Sequence, residues 1–218
     1  TDVVTGVQAS GAILASLYWR ERSGRGQHID CSLLDVQVAA LANIASNYLV
    51  AGKEAQRWGT AHESIVPYQV FDARDRPVAV AVANQKLWAS FCKVVDKEEW
   101  IDDPRFVSNP RRVENREALL PLIAEVMAQR TCDEWVDLLT RGEIPCGPVN
   151  NMKSLFADPQ VLHRRMVVEV PHPTIGTLRL AGVPVKYSDT PATIRRPPPL
   201  LGEHTDEVLA ELGYTWDE

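Results

Sequence analysis

The residues able to do chemistry are few and scattered. Histidines stand at 28, 62, 163, 172 and 204 with no metal-ligand spacing, and each by itself reads as a surface or packed imidazole. Cysteines at 31, 92, 132 and 146 are widely separated and form no C-x-x-C. That pattern argues against a zinc site and a dense disulfide framework, and fits reduced thiols in the cytosol or an organelle matrix. There is no G-x-S-x-G, no P-loop and no H-E-x-x-H, and the G-R-G at 24–26 follows a helical stretch, so it is no dinucleotide fingerprint. Asp2 precedes an apolar, small-residue run and by type alone reads as a helix N-cap. These residues support an α/β enzyme and leave its site unassigned.

The elements that must position them are easier to read. Residues 4–21 carry Val7, Gly11, Leu14 and Tyr18 at helical spacing. Gly6, Ser10 and Gly11 give this helix a small-residue surface, which suits either close helix packing or room for a ligand. Arg20 and Arg22 followed by Gly24 and Gly26 should stop it. Gln27 to Ser32 alternates polar and apolar residues as a short strand does, and Ser32, with Asp35 three on, should cap a helix running to about Leu49. Helix, strand, helix in this order implies an α/β fold with a parallel strand.

Residues 52–66 lack periodicity and read as a long, functional loop. A hairpin follows, Tyr68–Phe71 with Pro77–Val82, its second strand apolar enough to be buried on both faces. Helices are expected over 85–95, 111–129 and 131–141, the last opened by a Thr131/Glu134 capping box. The segment 144–149 carries two prolines and belongs at a sheet edge or in a loop. Short helical pieces over 151–156 and 158–162, a hairpin over 166–180, a stiff Pro197-Pro198-Pro199 run and a helix capped by Thr205 complete the chain.

With 218 residues, 45% of them hydrophobic, the chain can bury a sizeable core. A net charge of −6 argues against broad nucleic-acid or anionic-membrane binding. No apolar run reaches the roughly 18 residues a membrane span needs. The start shows neither an initiator Met nor a secretory leader.

Taken in order, several motifs together resemble family III CoA-transferases, the CaiB/BaiF group. They are Asp2-x-x-Thr5-Gly6; Arg22-Ser23-Gly24-Arg25-Gly26-Gln27-His28-Ile29-Asp30 with Ser32-Leu33-Leu34-Asp35; and Arg57-Trp58-Gly59-Thr60-Ala61-His62 with Pro67-Tyr68. Further on come Ile144-Pro145-Cys146-Gly147-Pro148-Val149 and Pro199-Leu200-Leu201-Gly202-Glu203-His204-Thr205. Residues 57–61, 64–69 and 148–153 are most similar to members that move CoA between dicarboxylic acids such as succinate and glutarate.

The resemblance implies a Rossmann-like large domain, present in part, and a smaller α+β domain, in an interlocked homodimer. On that map, residues 1–55 belong to the large domain, 56–165 to the linker and small domain, and 166–218 return to the large domain. It implies that Asp2 is the nucleophile, forming an aspartyl anhydride and then an aspartyl-CoA thioester. It places Arg25, Gly59, Thr60, His62, Tyr68 and Asn84 as candidates for contacts with CoA or substrate, His62 either with an acceptor carboxylate or in a structural role. CoA thioesters and carboxylic acids would be the substrates, with no tightly bound cofactor or metal, in the cytoplasm or a mitochondrial matrix. Relatives of formyl-CoA transferase carry a glycine run that closes over the intermediate; this chain has no such run, and Gly59-Thr60-Ala61-His62 occupies the comparable region. Two other readings stand beside this one. The same fold houses α-methylacyl-CoA racemases, which have a glutamate where this chain has Asn84, and an amide abstracts no proton. The chain could also be a non-catalytic fragment that packs against a partner.

Overall fold

The computed structural model describes residues 1–215; the last three positions of the expected 166–218 segment, residues 216–218, lie outside them. The chain divides into two units, 1–63 and 64–218.

The first unit contains helices only. Helix α1 (Asp2–Ser23) starts two residues before the expected position, with Thr1 rather than Asp2 as its N-cap. Gly24 ends it as expected, in the left-handed conformation (φ 69°), with Arg20 and Arg22 in the last turn. Residues 27–32 form no strand. A strand needs a ladder partner, and this unit offers none among its described residues. Ser32 caps α2 (Leu33–Ala40), its hydroxyl accepting from the Asp35 amide at 3.0 Å. The expected single helix to residue 49 is instead two: α3 (Asn43–Ala51) leaves at 80° after Ala42, which adopts φ 47°. No proline or glycine marks this break, so the sequence pattern could not reveal it. Of the α1–α3 side chains only Thr5 is buried. Among the described residues nothing lies within 4 Å of a Cβ placed on Gly6 or Gly11, so no element of this unit packs closely on these glycines. No single described helix is long and apolar enough to cross a membrane.

The second unit holds the core. Strands β1 (Tyr68–Asp72) and β2 (Pro77–Ala81) pair antiparallel in the register Val70↔Ala79, and β3 (Cys146–Pro148) joins the far side of β2 as the expected edge strand. β2 is buried on one face only. Val78 and Val80 are sealed, while Pro77, Ala79 and Ala81 are half-buried, because the helices cover one side of the sheet. Those helices are α4 (Gln85–Val94), α5 (Asn109–Glu114), α6 (Arg116–Met127) and α7 (Cys132–Arg141). The stretch expected as one helix over 111–129 is broken at Asn115, which ends α5 and precedes α6. Thr131 and Glu134 form the expected capping box at α7. Trp88, Phe91, Leu119, Ile123, Met127, Trp135 and Leu139 interdigitate beneath the sheet.

Arg112, fully buried among these side chains, lies with its guanidinium 4.7 Å from the centre of a Trp88 ring. Its Nε donates to the Val66 carbonyl at 2.7 Å, and its Nη1 donates to the Phe106 carbonyl and the Gln85 amide oxygen. Burial lowers its pKa to about 10, so it stays charged at neutral pH. On the same element, Asn109 accepts from the Val66 amide and donates to the Ser64 carbonyl. The start of the second unit is thus pinned to α5.

Short helices α8 (Met152–Leu155) and α9 (Pro159–His163) follow, capped by Asn151 and Asp158, and lead to the expected hairpin, β4 (Val167–His172) with β5 (Gly176–Ala181). Helix α10 (Thr205–Glu211) is capped by His204, and Thr205 is its first residue rather than its cap. Replacing Arg112 with alanine would strand two buried carbonyls and open a void beside Trp88. We expect unfolding to become easier by about 3 kcal/mol or more, read from chemical denaturation.

Candidate active site

Asp2 occupies the first turn of α1 and is exposed. The turn is braced from beneath. The Thr5 amide and hydroxyl both donate to the Thr1 carbonyl, at 2.9 and 3.1 Å. The Thr1 hydroxyl donates to Gln37 on α2 at 2.6 Å, tying the start of α1 to its neighbour. Thr5, whose side chain is spent on this contact, is the residue that the Asp2-x-x-Thr5 spacing places one turn below the carboxylate. The first amides of a helix have no backbone partner and carry positive partial charge. A carboxylate in this position faces donors able to steady negative charge that develops on it or on an acyl group bound to it.

A cleft of about 450 Å³ lies between α1 and α2, lined by Val4, Gln8, Ile29, Asp30, Ser32 and Val36 among others. Val4 belongs to the turn that carries Asp2. Arg25 is not brought to this end. It follows the C-terminus of α1, and the rise of a helix of 22 residues separates it from Asp2 by about 33 Å. Only an extended ligand could touch both.

Gly59, Thr60 and His62 share the 52–66 loop. Gly59 takes a left-handed conformation (φ 62°), and the Ala61 amide closes a turn onto the Trp58 carbonyl. The loop is fastened at its base by Glu63, which sequence reasoning missed. One Glu63 oxygen lies 2.5 Å from Lys53 Nζ, and the other accepts from the Asn47 side-chain amide at 3.1 Å. Lys53 holds the Glu63 carboxyl below the usual carboxylate range. A lowered folded pKa means that this clamp is intact at neutral pH and is lost as pH falls through that lowered value.

Tyr68 and Asn84 belong to the second unit and sit at one end of its sheet. Tyr68 opens β1 opposite Ala81, and Asn84 caps α4 just after β2, its side-chain oxygen accepting from the Leu87 amide at 2.9 Å. The cap is a sufficient structural reason for Asn84. Arg112 and Asn109, also missed, brace this end through Val66 and Gln85. An arginine pointing into a core carries no sequence signal, because its pattern is that of a solvated helix face.

Two of the four thiols, Cys92 and Cys132, are poor nucleophiles. Burial pushes the Cys92 thiol up to about 12 and raises that of Cys132. Among the described residues, no group of three or more His, Cys, Asp or Glu side chains could hold a metal ion.

A sequence profile for CoA-transferase family III matches residues 1–205. The chain is 45% identical to a succinyl-CoA:glutarate CoA-transferase of Homo sapiens, over 97% of this chain and 48% of the human protein. It is 36% identical to a succinate–glutarate CoA-transferase of Agrobacterium fabrum, over 97% of this chain and 53% of that protein. It thus spans about half the length of these curated relatives. A crystal structure of a CAIB/BAIF family protein from Brucella suis superposes with a TM-score of 0.76 at 34% identity, covering 96% of this chain and 54% of that one.

The cap and a substrate contact at Asn84 can be separated. Asn84→Ala should cost about 1 kcal/mol of stability, and Asn84→Asp, which keeps the acceptor, should cost little. A change in acceptor KM in the stable Asn84→Asp variant would identify a substrate contact.

Proposed function

The chain belongs to CoA-transferase family III, and on that premise we propose that it moves CoA from an acyl-CoA donor such as succinyl-CoA to a dicarboxylic acid of the glutarate kind. The observation that carries this reading is the placement of Asp2 in the first turn of α1, braced through Thr1 and Thr5 beside otherwise unpaired helix amides. The relatives quoted above support the substrate class.

The chemistry suits a carboxylate, which is anionic at neutral pH and needs no helper base. An Asp2 oxygen attacks the donor thioester carbon; the C–S bond breaks, CoA leaves as thiolate, and an aspartyl anhydride remains. The thiolate attacks the Asp2 acyl carbon and expels the donor as free carboxylate, leaving an aspartyl-CoA thioester. The acceptor carboxylate then attacks that thioester, again releasing thiolate, and the thiolate attacks the acceptor side of the new anhydride. The products are the acceptor's CoA thioester and a regenerated Asp2 carboxylate. No proton is transferred, and one thioester replaces another, so the exchange is nearly isoenergetic. Each anhydride carries a charge-dispersing carbonyl that first-turn amides of α1 can stabilise. Gly59, Thr60 and His62 are the proposed acceptor contacts, with Tyr68, Asn84 and Arg25 assigned to CoA or substrate.

A racemase needs a base at the α-carbon, and the amide of Asn84, committed to capping α4, supplies none. Further parts of this reading are the interlocked homodimer, the large-domain assignment of residues 1–55 and 166–218 around a small domain at 56–165, and a cytoplasmic or mitochondrial-matrix location.

Mass spectrometry after incubation with succinyl-CoA tests the mechanism. We expect a CoA adduct on the peptide containing Asp2, and loss of CoA exchange by at least about 10³-fold in Asp2→Ala. An Asp2→Ala protein that still exchanged CoA would sink it, and deuterium entering the α-carbon in D₂O would point to racemase chemistry instead.

A further inference from the structure

The loop that carries Gly59, Thr60 and His62 leaves α3 at Gly52 and has no secondary structure of its own. Its two ends are held together by side chains. Gly52 ends α3 in the left-handed conformation, and the Lys53 amide folds back to the Asn47 carbonyl at 3.3 Å, so Lys53 and Asn47 are both set by the helix terminus. Each then grips one oxygen of Glu63, Lys53 at 2.5 Å and Asn47 at 3.1 Å. The Glu63 side chain is only 9% exposed. An exposed ion pair would contribute little; here Lys53 stays 57% exposed, but both Glu63 oxygens are occupied and the carboxylate is nearly withdrawn from water. A helix C-terminus is also an unfavourable place for a carboxylate, because the last carbonyls face it. Lys53 offsets that repulsion, so the pair closes the loop as a unit.

We infer that Glu63, gripped by Lys53 and Asn47, is a positioning residue for the acceptor acid: it fixes residues 54–62 so that Thr60 and His62 meet the acceptor carboxylate. The inference rests on the CoA-transfer reading above. His62 is the immediate neighbour of Glu63 and its charge, when present, acts on that carboxyl. A freed loop end therefore changes both where the His62 ring lies and what charge it faces. The donor half of the reaction, formation of the Asp2–CoA adduct from succinyl-CoA, passes through the same kind of anhydride but draws binding from the CoA moiety as well, so at saturating succinyl-CoA its rate is expected to depend little on the clamp.

The test compares Glu63→Gln, Lys53→Glu, Glu63→Lys and the exchanged pair Lys53→Glu/Glu63→Lys, with Asn47→Ala as a milder variant. The readouts are the adduct-forming rate with succinyl-CoA alone, then KM and kcat for glutarate. In each single variant glutarate KM should rise about 5–10-fold, with kcat and the adduct rate within about twofold of the unaltered protein. The exchanged pair should return KM to within about twofold. Unchanged KM with normal adduct formation overturns the inference and leaves the transfer reading intact. Loss of adduct formation together with glutarate turnover, in Asn47→Ala as well as in Glu63→Gln, means a general structural role and also overturns it. An unaltered protein that forms no adduct brings down the transfer reading and the inference with it.

Discussion

A charge with no counter-ion among the described residues organises the core. The Arg112 guanidinium is fully buried, rests on Trp88, and donates to Val66, Phe106 and Gln85, yet its Nη2 has no hydrogen-bond partner among the described residues. Burying a cation is costly unless neighbouring dipoles and a π face replace the lost water. Those replacements come from four places: the segment entering β1, the loop before α5, the N-terminal turn of α4 and the Trp88 ring. None can drift far without exposing the others' deficit. The end of the sheet that carries Tyr68 and Asn84 is tied to α4 and α5 by these polar contacts as well as by its hydrophobic packing.

The carboxylate proposed to react is held in the opposite style. Asp2 sits on helices that bury one side chain, Thr5, and leave Val3, Leu14, Leu34, Leu49 and Val50 mostly exposed. Local order there comes from caps and short polar braces: Thr5 to Thr1, Thr1 to Gln37, and Ser32 to the Asp35 amide. This suffices to orient a nucleophile. It does not exclude water, and an anhydride hydrolyses in water, so the proposed transfer would require Asp2 to be covered while an acyl group is attached to it. The apolar surfaces around α1 and α2 are of the kind that such covering would use.

Local signals were read correctly where the chemistry is local. The Thr131/Glu134 capping box, the Ser32 cap, the Gly24 stop and both hairpins depend on residues a few positions apart, and all stand where expected. Failures cluster where the outcome depends on partners distant in sequence. Residues 27–32 alternate like a strand and lack a ladder, β2 is covered on one face instead of two, and the chain bends at Ala42 without a breaker residue. Asp2 and Thr205 entered the helices they were expected to cap, shifting each cap by one residue to Thr1 and His204.

The sequence by itself determined family membership, because an ordered series of short motifs spread along the chain is specific where any one of them is weak; the proposed nucleophile, Asp2, rests on that membership. The sequence also determined where most helices start and stop, since capping is settled within four residues. Only the tertiary structure decided that Arg112 is a core residue, that Glu63 closes the 54–62 loop on Lys53 and Asn47, and that Arg25 stands a helix length away from Asp2. The physical reason is common to the three: a charged side chain looks the same in sequence whether it meets water, a helix terminus or a tryptophan ring, and only folding chooses which.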